Sequence, residues 1–322
     1  MRSVFRTRLA VGHKPNRKRM ATLAAVYDAD PAPRRPHDVI TVPGGSRSDD
    51  RTPRPGPHAH NKWLTGSVAH DSGEVIAAAF DQAHARDPDH VRTWVVLVDG
   101  DWYQIGQIEA EAAHRGIGIH IVVDLIHCLE YIWTASRCFY TVDDPAAEDW
   151  VATQALGLLA GRVEDVADVI ESQTDTTGLV ADARRGADDA VRYFRGHAGY
   201  LHYDRALNAG WPIATGVIED AARHLVRDRL EIAGSRWGLD GAEAILRLRA
   251  LTGIGDFPAY WRHHLTREHQ RVHPTTTNSQ LDRQSLQQSH TQSRSTPTTR
   301  CCTSSGRSNR WAVGSRSVGA CP

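Results

Sequence analysis

The stretch TWVVLVDGD, residues 93–101, decides the fold. Five consecutive apolar residues closed by Asp-Gly describe a strand buried on both faces that ends in a tight turn. A second run of the same kind, GIHIVVD (118–124), follows a segment of helical spacing at about 103–115. A strand, helix, strand unit of this kind builds a parallel pair. Upstream, MATLAAVYD (20–28) is another apolar run of strand length, and Ile76, Ala79, Phe80 and Ala83 fall at i, i+3, i+4 and i+7 of a helix expected at about 67–85. The expected fold class is therefore α/β, a sheet flanked by helices.

Further out, residues 145–172 carry one apolar stripe through Val151, Ala155, Leu158, Leu159, Val163, Val166 and Ile170, which predicts helix. Another helix is expected near 183–195, before the aromatic, glycine-broken stretch GHAGYLHYDRALNAGWP (196–212). Helix resumes at about 216–233, with Thr215 as the expected N-cap, and again at 240–252. Residues 1–19 and 31–62 are rich in Arg, Pro, Gly and His and read as irregular, whereas 274–322 are Ser, Thr, Gln and Arg and read as a disordered tail. The division expected is a basic N-terminus (1–19), a first core part (20–144), an all-α insertion (145–212), C-terminal core helices (213–273) and the tail (274–322).

With 322 residues, 40% of them hydrophobic, the chain can bury one sizeable core. Its formal net charge of zero hides a gradient: residues 1–37 sum to +7 and 274–322 to +5, which leaves −12 for the body. An acidic body argues against a simple nucleic-acid binder and suits clustered carboxylates that need cations, with DNA held by local arginine patches. No run approaches the ~20 apolar residues of a membrane span and no secretory signal is visible, so a cytoplasmic protein without membrane contact is expected. Five cysteines, three of them in the polar tail, form no disulfide or zinc framework.

Three acids stand out by position: Asp99 and Asp124 at the C-terminal ends of the two buried strands, and Glu219 in the first turn of a late helix. Ligands gather at the C-terminal ends of parallel strands, and two divalent ions held by shared carboxylates, here Mg2+ or Mn2+, can activate the nucleophile and stabilise the leaving oxygen that phosphodiester cleavage involves. Each has a plainer reading. Asp99 can be a turn residue, Asp124 the cap of the helix carrying His127, and Glu219 an acid favoured by the helix dipole. Arg223 and Arg227, four and eight residues after Glu219, could hold a phosphate on its helix face, with Arg236 nearby.

The segment ATGVIEDAARHLVRDRLEIAGSRWGLDGAEAILRLRAL (214–251) resembles the C-terminal catalytic block of the Kra-type insertion-sequence transposases, in which Gly-x-x-Glu carries an acid and Gly-x-x-Trp-Gly follows. NRKRMATLAAVYDADP (16–31), RPGPHAHNKWLTGSVAH (54–70), VVLVDGDWYQI (95–105) and IVVDLIHCLEYIW (121–133) resemble further blocks in the same order. The resemblance implies an RNase H-like mixed sheet, a DDE-type site, double-stranded terminal inverted repeats and target DNA as substrates, and a homo-oligomer on DNA. It makes Asp99 the second carboxylate and Glu219 the last, with Asp124 either a further metal ligand or, together with His127, a structural and DNA-facing element. A truncated copy is expected, because an RNase H-like fold places its first acid on the first of three antiparallel strands. If MATLAAVYD is the third, the residues before it hold no Asp or Glu. The alternatives are a non-catalytic DNA-binding remnant and a stand-alone RNase H-like nuclease.

Overall fold

The computed structural model describes residues 20–41, 52–232 and 235–273, and the backbone pairing of 310–319. Two strands of the sheet follow directly from the apolar runs: β3 (Trp94–Val98) and β4 (Ile119–Val123), parallel from Trp94↔Ile119 to Val98↔Val123. The third run is β1 (Met20–Ala29), in which every residue from Ala21 to Tyr27 is buried. Between them lie a short α1 (Pro36–Val39), the strand β2 (Ala59–Ser67) and α2 (Ser72–Arg86).

β2 corrects the reading of 31–62 as irregular. It is an edge strand whose residues Asn61 and Lys62 are exposed, so its sequence AHNKWLTGS lacks the apolar signature of the interior strands. Its pairing with β1 is antiparallel and shifts register between Val26 and Asp28, next to Asn61 at φ 49°. Because β2 stands immediately before α2 and β3, β1 is not the strand that leads into that helix.

The fifth strand, β5 (Arg310–Gly319), lies within the segment expected to be disordered, and over these ten residues that expectation fails. The order across the sheet is β2-β1-β5-β3-β4, with β5 antiparallel to β1 and parallel to β3. Helices complete an α/β architecture. α2 and α3 (Trp102–Arg115) pack together, and α2 covers β1. Val75, Ile76, Ala79, Phe80 and Ala83 of α2 are buried, as their spacing predicts.

The insertion is all α, but the stripe at 145–172 belongs to two helices: α5 (Pro145–Leu159) and α6 (Val163–Thr177). Gly161 at φ 76° turns the chain between them. α7 (Ala181–His197) packs on α6 and on α4 (Leu125–Ser136), and α8 (Tyr203–Ala209) follows after a 3-10 turn. Arg195 ties α7 to α6 through Asp168 (2.7 Å) and Glu171 (2.8 Å). The insertion therefore shares one apolar core with β3 and β4.

The late helices form a second layer on β1. α9 (Gly216–Ala222) runs into a π-helical turn (Arg223–Arg227) and α10 (Asp228–Leu230), followed by α11 (Leu239–Gly253) and α12 (Phe257–Val272). Ala221, Ala222, Leu225, Val226, Leu246 and Ala250 close over Ala21 and Leu23. α11 is also tied to the end of β2. The Glu243 carboxylate accepts from the Ser67 hydroxyl (2.9 Å) and the Val68 N–H (3.0 Å).

Candidate functional site at the C-terminal edge of the parallel strands

β3 ends at Val98, and Asp99-Gly100-Asp101 turns the chain into α3. Gly100 sits at φ 93°, a conformation that favours glycine, and a Cβ there would meet the Tyr193 hydroxyl. Asp101 caps α3 by accepting from the Tyr103 N–H (2.8 Å). The insertion clamps this turn: Tyr193 donates to the Asp99 carbonyl (3.1 Å), and the buried His197 ring places Nε2 2.9 Å from the Gly100 carbonyl.

Aromatic rings continue outward from the clamp. Trp102 stacks on His197 (4.4 Å), His197 packs against Tyr193 (4.2 Å), and Tyr193 stacks on Tyr131 (4.0 Å). His127 stands edge-on to Tyr131 and Tyr193 at 5.4 and 5.6 Å, with Nδ1 3.2 Å from Glu130. Trp102 is 54% exposed, so the row ends in an indole open to solvent on a rigid support. Burial, reinforced by the negative charge that Cys128, Tyr131, Asp99 and Asp124 can carry around it, raises the Tyr193 phenol far above its ordinary range.

Asp124 occupies the centre of this edge and is 3% exposed. One carboxylate oxygen accepts from the Ile126 N–H (2.9 Å) and caps α4, while the other accepts a short hydrogen bond from the Thr215 hydroxyl. Its own N–H donates to the Val98 carbonyl (2.7 Å), and Leu125 N–H donates to Ile213 (2.9 Å). Thr215 thus precedes α9 without capping it through its side chain, because its hydroxyl is bonded to Asp124.

Glu219 lies one turn beyond Thr215, to whose carbonyl its N–H donates (3.0 Å). α9 is fixed to the sheet by Ile218, which is buried against Ala25, Tyr27 and Ala29. The three sequence-chosen acids are therefore linked by one hydrogen-bonded frame: Asp99 follows the carbonyl that receives Asp124, Asp124 receives Thr215, and Glu219 is one helical turn on, about 5.4 Å along the axis. Asp99 and Glu219 are partly exposed; Asp124 is enclosed.

Arg223, Arg227 and Arg236 are exposed and make no ion pair among the described residues. Asp220, beside Glu219, faces His224 at 3.1 Å, and His224 also faces Asp228 at 3.1 Å. Asp28 belongs elsewhere. It pairs with Arg86 (3.4 Å) and Arg92 (3.8 Å) at the level of Trp94, the start of β3, about 16 Å along the strand from Asp99 at ~3.3 Å per residue. Among the described residues no three His, Cys, Asp or Glu side chains are grouped to hold a metal ion, and no helix is long and apolar enough to cross a membrane.

The sequence reading missed Tyr193 and His197 as parts of this edge. Their i, i+4 spacing at the end of an amphipathic helix was the available signal. No family model, curated protein or solved structure matches this chain.

Proposed function

We propose that this chain is the RNase H-like core of an insertion-sequence DNA transposase of the Kra type, in a catalytically incomplete form. The observation that carries the reading is the frame joining Asp99, Asp124, Thr215 and Glu219 at the C-terminal edge of a parallel strand pair. The strand directions support it: β2, β1 and β5 are successively antiparallel and β5, β3 and β4 are parallel, a mixed pattern shared with RNase H-like sheets, although here the central strand is the last of the chain rather than the first. In this reading Asp99 and Glu219 are the second and last carboxylates, and Asp124 braces the helices that present them.

A pair of Mg2+ or Mn2+ ions does not fit the side chains at this edge. Two shared ions need more oxygen ligands than Asp99 and Glu219 supply, both Asp124 oxygens accept protein hydrogen bonds, and the central strand RWAVGSRSVG contains no acid. What the edge offers instead is duplex DNA binding as part of an oligomer, through the exposed Arg223, Arg227 and Arg236, with the exposed Trp102 available to stack on a base. The helices α5 to α8 inserted before α9 favour a transposase over a stand-alone nuclease.

The test incubates purified protein with duplex DNA and either metal, with nicking, strand transfer and retention measured together. Retention that falls with salt, without nicking, is the expected result. Strand transfer abolished by Asp99→Ala would overturn the incompleteness, and absence of retention at low salt would overturn the DNA reading.

A further inference from the structure

We propose that Arg310–Gly319 is a donor strand, which closes an otherwise split sheet by entering a strand-binding slot between β1 and β3 of the same chain. β5 pairs with β1 along its whole length, from Met20↔Gly319 to Ala29↔Arg310, and with β3 from Trp94↔Trp311 to Val98↔Ser315. The other edges of β1 and β3 are taken by β2 and β4. Without β5 the sheet separates into two pairs, each with an unpaired edge in the middle of the core. Ladder N–H and C=O groups left unpaired in such surroundings are strongly unfavourable, so the slot selects for an extended segment.

The occupant is poorly matched to its place. Interior strands covered on both faces read as continuous apolar runs, as β1 and β3 do, yet RWAVGSRSVG contains two arginines, two serines and two glycines. Gly314 in its middle weakens it further. Recognition therefore rests on the backbone ladder, antiparallel to β1 and parallel to β3, as in other cases of strand addition. Residues 274–309 span up to roughly 120 Å when extended, which gives β5 the reach to arrive from its own chain. Recognition of this kind leaves the slot open to an extended peptide in trans.

A disulfide tests the register in the full chain. Ala24 and Ser315 are partners, and paired antiparallel residues have Cα atoms about 4.5–5.5 Å apart, within the range a disulfide spans. Mild oxidation of the Ala24→Cys/Ser315→Cys protein should give an intrachain cross-link by peptide mapping, while Ala24→Cys/Arg310→Cys should give none. An interchain cross-link, or none for the in-register pair, overturns the proposal.

A second measurement does not depend on cysteine chemistry. Val313→Pro removes a ladder donor, and amide hydrogen exchange in β1 and β3 should accelerate about tenfold or more, with α5 to α7 unchanged. Excess RWAVGSRSVG peptide should restore the protection. Unchanged exchange, or no effect of the peptide, refutes the slot.

Discussion

Replacing Asp124 with alanine tests whether this buried acid is a brace or a ligand awaiting a cation. The substitution removes the acceptor for the Ile126 N–H at the start of α4 and leaves the Thr215 hydroxyl unpartnered at a site that is 3% exposed. Loss of an N-cap costs roughly 1 kcal/mol, and loss of a buried hydrogen bond to a charged group about 1.5–3 kcal/mol. Together they predict a loss of about 3 kcal/mol, or a fall in Tm of roughly 6–12 °C for a chain of this size. Thr215→Val should cost about 1.5–3 kcal/mol by leaving the carboxylate oxygen unsatisfied. The double variant should then be less destabilised than the sum of the two singles. Asp124→Asn keeps an oxygen for the cap and should be milder than alanine. Urea unfolding of all four proteins provides the energies. If Asp124→Ala were as stable as the parent, or more stable, the brace would be wrong, and Asp124 would behave as one of a set of mutually repelling ligands.

The remaining predictions concern the core, the turn and the arginines. Burial pushes the Cys128 thiol up to about 12, against a lowering hydrogen bond with Tyr203 and with Asp124 raising it further. An acid raised in the folded state stabilises below its unfolded value, about 8.5 for a thiol, and loses that contribution as pH rises toward the folded value. Stability should therefore decline above about pH 9, and native maleimide labelling at pH 8 should modify Cys138 well before Cys128. Equal labelling, or stability flat to pH 11, would contradict this burial. Gly100→Ala should cost about 2–4 kcal/mol, from a positive φ and crowding against the Tyr193 hydroxyl, read by the same urea unfolding. Converting Arg223, Arg227 and Arg236 to glutamine should weaken duplex retention equally across sequences and lower the salt slope by roughly 0.9 for each phosphate no longer neutralised. An unchanged slope would move the DNA surface elsewhere.

Local pattern was enough to define β1, β3 and β4 and the helices α2, α3, α4, α7 and α11, because those strands are continuous apolar runs and those helices repeat at their own period. The same pattern chose Asp99, Asp124 and Glu219, since strand ends and first helical turns are visible in a linear reading. β2 escaped because an edge strand with exposed polar residues has no apolar run to betray it. β5 escaped because an arginine- and serine-bearing segment becomes a strand through two partners hundreds of residues away. Tertiary structure also decided what Asp124 does: Thr215, 91 positions on, takes one oxygen, and the helix it caps takes the other. Likewise His197 reaches Gly100 across 97 positions to clamp the turn after Asp99. Periodicity records which face of an element is buried, but not which distant side chain will meet it there, and the edge of this sheet is built from such meetings.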